Sequence, residues 1–257
     1  MERQKIALTI AGSDPTGGAG FQADLRTFNN MGVYGLSVPT VLTAQNTEGV
    51  YSIHEVPADF ISKQLDVLLS DITPDAFKTG MLYSTEAVKA VALKVKEYSL
   101  KNLVIDPVTV SSTGVQLLED KGLDAIKSGL FPFSKVITPN IYEASVLTGI
   151  DVRNEKTMKE SAVILMEQGC EAVIITGGHL EKKAVDMLFN GEEFLALENE
   201  RLEGEFHGTG CLFSSAITAC LALGYGLNEA FIKAKEIVWN AMKTAVPAGN
   251  GMKLLSI

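Results

Sequence analysis

Ile6-Ala7-Leu8-Thr9-Ile10-Ala11, then Gly12-Ser13-Asp14-Pro15-Thr16-Gly17-Gly18-Ala19-Gly20, then Phe21-Gln22-Ala23-Asp24-Leu25-Arg26, is the stretch whose reading decides the fold. The first six residues form an apolar run, bounded by glycine, that reads as a strand buried on both faces. The glycine loop ends it, and helical spacing of apolar residues then predicts a helix over about residues 21–31. Strand, loop and helix make the first unit of an alternating chain.

The alternation continues outward from there. Residues 34–44, rich in Val, Leu and Thr, read as extended, 50–56 as another short strand, and 60–69 as an amphipathic helix. Ala76-Phe77-Lys78-Thr79 precedes a helix at about 85–97. Leu103-Val104-Ile105-Asp106 and Val136-Ile137-Thr138 are strands stopped by Pro107 and Pro139, with helices following. Residues 172–176 form a strand closed by Gly177-Gly178, and 185–189 with 193–197 a hairpin around Asn190-Gly191. Helices over about 211–223 and 228–245 finish the chain. The pattern predicts one α/β domain over residues 1–257, a mainly parallel central sheet with helices on both faces. Ligands of such sheets bind outside the carboxyl ends of the strands, and those ends carry Asp14, Lys78, Asp106, Asn140, Glu143 and Thr176.

Composition narrows the partners. The 257 residues are 46% apolar and 21% charged, with a net charge of −9 and a pI near 4.9, which argues against a nucleic-acid or anionic-membrane partner. An anionic ligand then requires a local site. Cys170, Cys211 and Cys220 are odd in number and lack metal-ligand spacing, which fits a reducing compartment better than a disulfide framework. The apolar run after Met1-Glu2-Arg3-Gln4-Lys5 is too short and polar for a signal peptide, and no stretch approaches a membrane span. A soluble cytoplasmic protein is expected.

His207-Gly208-Thr209-Gly210-Cys211 runs directly into the apolar helical pattern from Leu212 and has the form of a helix N-terminus built for an anion. Glycines at 208 and 210 let backbone N–H groups converge where the first-turn donors lack internal partners. Cys211 at the positive end of the helix is expected to have a lowered thiol pKa. A plain glycine turn before a helix, with Cys211 as small packing, explains the same residues. Gly18-x-Gly20-x-x-Ala23 satisfies the loose dinucleotide pattern, but Gly12 to Gly17 intervene after the strand and make a longer loop, more apt to cover a ligand. No P-loop motif occurs.

Together AGSDPTGGAGFQADL (11–25), VLTAQNTEGV (41–50), KTGML (78–82), DPV (106–108), TPNIYEA (138–144), GGHL (177–180) and HGTGC (207–211) resemble the hydroxymethylpyrimidine/phosphomethylpyrimidine kinases of thiamine biosynthesis, within the ribokinase-like superfamily. The likeness spans residues 6–220; single motifs are weak, but their number and order are not. It implies a ribokinase-like fold, ATP with Mg²⁺ along the carboxyl edge, and a homodimer. The implied reaction moves the γ-phosphoryl group to 4-amino-5-hydroxymethyl-2-methylpyrimidine or to its monophosphate.

The resemblance also distributes roles. Gly208, Thr209 and Gly210 become the anion hole for the transferring group, and Cys211 takes the place where many sugar kinases of the superfamily carry an aspartate base. A thiolate there would accept the hydroxymethyl proton, although in a loose transition state positioning could be its larger contribution. Gln45 is assigned to the aminopyrimidine edge, since its amide is both donor and acceptor; a solvated polar residue at a strand end is the plain alternative. Met81 and Val108 supply walls for the ring, or ordinary core packing, and Gly12 and Asp24 complete the substrate side, where Asp24 would otherwise cap or pair. Asn140, Glu143, Thr176 and Gly178 fall to the nucleotide, and Asp106 and Glu143 to Mg²⁺ through waters. Asn140-x-x-Glu143 fits a helix cap with a third-position partner equally well. His207 touches the anion loop, His179 makes a loop hydrogen bond or meets the nucleotide, and His54 is an ordinary surface or edge residue.

Departures from the pattern bear on the substrate. Thr176 stands where many pyrimidine kinases have lysine before Gly-Gly-His, Glu205-Phe206 and Leu212 flank HGTGC in place of Asn-Thr and Thr, and the usual glycine- and histidine-containing tail is missing. Thr-Gly-Gly resembles some pyridoxal kinases of the same branch. Pyridoxal/pyridoxine kinase is therefore the alternative, with a non-catalytic pyrimidine-binding paralogue as a third reading. Lys78, at a neighbouring strand end, is the candidate cation to stand in for the missing lysine.

Overall fold

The protein is described by a computed structural model covering residues 3–110, 115–119, 121–178 and 184–256. In chain order the elements begin with β1 (Ile6–Ala11), α1 (Gly20–Asn30), β2 (Tyr34–Pro39), β3 (Val41–Gln45), β4 (Val50–Glu55), α2 (Ala58–Leu69), β5 (Ala76–Thr79) and α3 (Thr85–Glu97). They continue with β6 (Leu103–Ile105), α4 (Gly122–Gly129), β7 (Ser134–Ile137), α5 (Ile141–Thr148), α6 (Glu155–Glu167), β8 (Val173–Ile175), β9 (Ala184–Phe189) and β10 (Phe194–Asn199). The last are β11 (Phe206–His207), α7 (Thr209–Ala222), α8 (Leu227–Lys243) and β12 (Lys253–Leu254).

Eight strands form one sheet in the order β10-β9-β8-β7-β6-β5-β1-β2. From β2 to β8 the neighbours are parallel, while β9 and β10 add the expected antiparallel hairpin at one end. The strands alternate apolar side chains between two buried faces, as the two-residue period requires. Leu8, Ile10, Phe77, Leu103 and Ile105 point into a core shared with Ile61 and Leu65 of α2, Val88 and Val91 of α3, Leu147 of α5 and Ala162 of α6. Ala7, Ala76, Val104 and Val136 point the other way, onto Phe28 of α1, Phe213 and Ile217 of α7 and Phe231 of α8. Helix α7 is buried from Leu212 to Ala222, as befits a helix apolar on every side. No helix among the described residues is long and apolar enough to cross a membrane.

The structure divides what the sequence pattern joined. Residues 34–44 are not one extended segment: β2 ends at Pro39, which has no N–H for the ladder, and β3 leaves the sheet to pair with β4 in a separate antiparallel hairpin. That hairpin is tied to the carboxyl edge, where Ser13 N–H donates to Val41 O at 2.8 Å and the Thr43 hydroxyl to Ser13 O at 2.8 Å. A second small sheet pairs β11 with β12. It brings the C-terminal residues against the hairpin tip, where Gly251 N–H donates to Thr47 Oγ1 at 3.2 Å and Met252 N–H to Thr47 O at 3.0 Å. The tail thereby straps the hairpin down.

Candidate active site

At the end of β1 the chain turns through the glycine loop and comes back as α1. Asp14 organises that loop: its Oδ1 accepts the Thr16 N–H (2.9 Å) and hydroxyl (2.8 Å), and its Oδ2 accepts the Ala19 N–H at 2.8 Å and faces His207 Nε2 at 2.6 Å. Burial alone would raise the Asp14 carboxyl, but the His207 hydrogen bond and charge, with the Thr16 donors, outweigh it and hold the group below its ordinary range. His207 in turn lies 3.1 Å from the Gln45 amide at the end of β3. Gly12 is buried against Val41 and Met81, the latter half-buried, as is Val108.

Across this loop sits the start of α7. Gly208 is the N-cap with φ 83°, a left-handed conformation suited to glycine, and a Cβ there would lie 1.8 Å from Gly18 O. Gly210 has open space around it and needs no glycine-only backbone. The N–H groups of Thr209, Gly210 and Cys211 precede the first helical bond, from Leu212 N–H to Gly208 O at 2.9 Å. Cys211 corrects the expectation of a lowered pKa. Burial pushes its thiol up to about 12; Asp106 and Asp24 add to the rise, and Lys78 and the Gly20 N–H oppose it without prevailing.

Beneath the cysteine lies a buried charge cluster. Lys78 Nζ is 2.8 Å from Asp24 Oδ1 and 3.9 Å from Asp106 Oδ2, and the Lys78 and Asp24 side chains are 0% exposed. Asp24 also accepts the Thr9 hydroxyl at 2.6 Å, and Asp106 the Ser214 hydroxyl at 2.9 Å. The structure thus decides for the pairing role of Asp24 over a ligand role: both carboxylate oxygens are occupied inside the protein. Lys78, likewise, is no substitute for a solvent-facing phosphate lysine, because its charge is spent on two buried carboxylates.

Asn140 and Glu143 form a reciprocal capping box at the start of α5. Glu143 Oε2 accepts the Asn140 N–H at 3.0 Å and Oε1 the Thr109 N–H at 3.3 Å. Burial, then the nearby Asp106 charge, push Glu143 up to about 8. Thr176 joins the same edge through a bridge to Asn140, while Gly178 is exposed. His179 and Leu180 lie outside the described residues, and His54 is on the exposed face of β4. Asp186 was not singled out in the sequence, yet its Oδ1 accepts the Gly177 N–H at 2.9 Å and its Oδ2 pairs with Lys235 at 2.7 Å, fixing the turn after β8. An acidic residue inside the apolar run Ala184-Val185-Asp186-Met187-Leu188 was the available signal. A separate crevice of about 470 Å³ opens beside Asn102, Lys135 and Tyr225 and contains none of these groups.

Glu143 makes stability depend on pH. Its folded value, about 8, lies above the ordinary 4.5, so its contribution is full below about pH 4.5 and is lost as the pH rises through about 8. The urea midpoint of ligand-free protein is expected to fall across that interval, and Glu143→Gln, which preserves the cap acceptor, to flatten the fall. A pH-independent midpoint in the parent would show that Glu143 is already ionised in the fold.

A model of the phosphomethylpyrimidine kinase family matches residues 14–256. The chain is 46% identical over 246 residues to the thiamine biosynthesis bifunctional protein ThiED of Geobacter sulfurreducens, covering 95% of this chain and 50% of that protein. It is 40% identical over 248 residues to the hydroxymethylpyrimidine/phosphomethylpyrimidine kinase of Bacillus subtilis, covering 95% of this chain and 92% of that one. The crystal structure of an ADP complex of Bacillus subtilis pyridoxal kinase superposes with a TM-score of 0.91 at 38% identity, covering 99% of this chain and 97% of that chain.

Proposed function

The chain belongs to the phosphomethylpyrimidine kinase family, and on that premise we propose that it transfers the γ-phosphoryl group of ATP to 4-amino-5-hydroxymethyl-2-methylpyrimidine, to its monophosphate, or to both. The reading rests on the near full-length match to the Bacillus subtilis kinase, set beside the convergence of Gln45, Asp14 and the α7 N-terminus at one sheet edge. The proposal concerns this kinase reaction alone, since the chain spans half of ThiED. The homodimer and the cytoplasmic location belong to the same reading, and light scattering checks the first.

In the transfer, the substrate hydroxyl oxygen forms a bond to the γ-phosphorus, the bond to the bridging oxygen of ADP breaks, and the hydroxyl proton passes to an oxygen of the transferred phosphoryl group. The N–H groups of Thr209, Gly210 and Cys211 face the charge on the moving group. Gln45 orients the pyrimidine edge, while Met81, Val108 and Gly12 bound the ring. Asn140, Thr176 and Gly178 lie on the nucleotide side. Asp106 and Glu143 fit a hydrated Mg²⁺: both are hard oxygen ligands, both are raised by burial, and the Asp106 charge disfavours that of Glu143, a conflict that a cation would relieve. No cluster of three or more ligating side chains occurs among the described residues, and water and ATP phosphate oxygens would supply the other ligands. Bound there, Mg²⁺ would neutralise phosphate charge.

With its thiol pushed up to about 12, Cys211 begins the reaction protonated and cannot accept a second proton, so its part is to hold the hydroxyl, whose proton leaves late. Cys211→Ala is expected to lower kcat by about a hundredfold through loss of positioning and to leave ATP affinity within about twofold, because the backbone donors remain. Turnover at the parent rate would remove Cys211 from the reaction. The function itself is tested by coupled assay of ATP consumption with the hydroxymethylpyrimidine and with pyridoxal. Thr176 in place of lysine and the likeness to pyridoxal kinase favour the second reading, which wins if kcat/KM is higher for pyridoxal. Binding of the pyrimidine without ATP consumption would point to the non-catalytic paralogue.

A further inference from the structure

The His207 ring is buried, with Nε2 2.6 Å from Asp14 Oδ2 and 3.1 Å from the terminal amide of Gln45. Its Nδ1 is buried with no hydrogen-bond partner among the described residues, so the ring makes its polar contacts through Nε2. Asp14 already accepts from the Thr16 N–H, the Thr16 hydroxyl and the Ala19 N–H, donors that favour the ionised carboxylate. The hydrogen between Asp14 and His207 therefore sits on Nε2.

That assignment constrains Gln45. A ring nitrogen carrying a hydrogen cannot accept one from an amide NH₂. The Thr43 hydroxyl hydrogen goes to the nearer acceptor, Ser13 O at 2.8 Å, which leaves the hydroxyl oxygen free to accept from the Gln45 amide at 3.2 Å. The conflict is relieved when the Gln45 carbonyl faces His207, sharing the Nε2 hydrogen with Asp14 in a three-centre bond, and its NH₂ faces Thr43, whose own hydrogen goes to Ser13. The ring has little room to turn: a Cβ on Gly18 would lie 2.5 Å from His207 Cδ2. Its backbone is paired to Leu254 in the small sheet, and the tail grips Thr47, two residues beyond Gln45.

We propose that His207, held by Asp14, is a positioning residue that fixes the Gln45 amide with its carbonyl toward the imidazole, and so sets the order of donor and acceptor offered to the substrate ring. The kinetic consequence rests on the reading of Gln45 given above; the ordering of the amide does not. In His207→Leu the KM for the pyrimidine is expected to rise about tenfold, with the KM for ATP little changed. His207→Gln, which restores a donor, should return most of the loss. In a Gln45→Ala background, His207→Leu should add no further penalty, because the group it orients is gone. Side-chain NMR relaxation of the Gln45 NH₂, measured without substrate, should show an ordered amide in the parent and in His207→Gln and a mobile one in His207→Leu. If His207→Leu does not fold, Asp14→Asn carries the same test, since it sets an NH₂ against the Thr16 or Ala19 donors and frees the ring. Additive penalties, or an amide as ordered without His207 as with it, would overturn the proposal. A parent enzyme inactive on the pyrimidine would instead sink the proposed function, and the NMR result would still decide the positioning role.

Discussion

Lys78→Met is expected to destabilise the protein by about 3–5 kcal/mol, the usual cost of leaving a buried charge without its partner. Lys78 sits in the middle of the sheet, opposite Thr9 of the neighbouring strand, and its ammonium neutralises Asp24 at 2.8 Å and Asp106 at 3.9 Å. Methionine keeps much of the stem volume, so the effect isolates the charge from the cavity. Asp24 then has to bind a proton, and Asp106 loses the positive charge that opposes its rise. For a chain of this size the midpoint of thermal unfolding should drop by on the order of 10 °C. Adding Asp24→Leu to Lys78→Met should recover a large part of the loss, because it removes the orphaned carboxyl. A Lys78→Met protein with parental stability and a collapsed kcat would return Lys78 to the role of phosphate cation. That outcome would mean the ion pair is not what holds it.

Gly208→Ala should be the most damaging single methyl group in the site. The backbone at 208 has φ 83°, which costs an L-residue roughly 1–2 kcal/mol, and the added carbon would overlap Gly18 O at 1.8 Å and crowd Gly18 C at 2.8 Å. These are backbone atoms, held by the Asp14 network, and have no rotamer to yield. The glycine loop and the α7 N-terminus must separate, which displaces the converging N–H groups relative to Gln45 and Asp14. Misplacement on the order of 1 Å costs catalysis about a hundredfold, so kcat/KM is expected to fall by at least that factor, with a lowered urea midpoint. Gly210→Ala is the control. It meets nothing within 4 Å and lies in the first turn of the helix, so its stability should match or slightly exceed the parent's. Equal tolerance at both positions would mean that the close approach at Gly208 is not needed.

The positions of the site were legible largely because glycine, proline and strand-end polar residues leave local marks. Their chemistry was less so. Asn140-x-x-Glu143 announced a capping box, and the structure contains one, but that Glu143 is also pressed toward protonation by Asp106 depends on a strand distant in sequence. Cys211 illustrates the opposite error. Its place on the helix pointed to a lowered thiol pKa, whereas desolvation and two carboxylates brought in by β6 and α1 reverse the sign.

By itself, then, the chain determined the alternation of strands and helices, the two-faced burial of the sheet, the hairpin at Asn190-Gly191 and the edge on which polar residues gather. Those follow from periods of two and 3.6 residues and from turn residues, all of which act within a few positions. Only the tertiary structure decided which charges meet. Asp24 pairs with Lys78 across 54 residues and Asp14 with His207 across 193. It also decided that β3 leaves the sheet at Pro39 and that the tail grips Thr47. Electrostatic pairing and desolvation depend on distance and burial in space, and neither is encoded in the local pattern of a strand or helix.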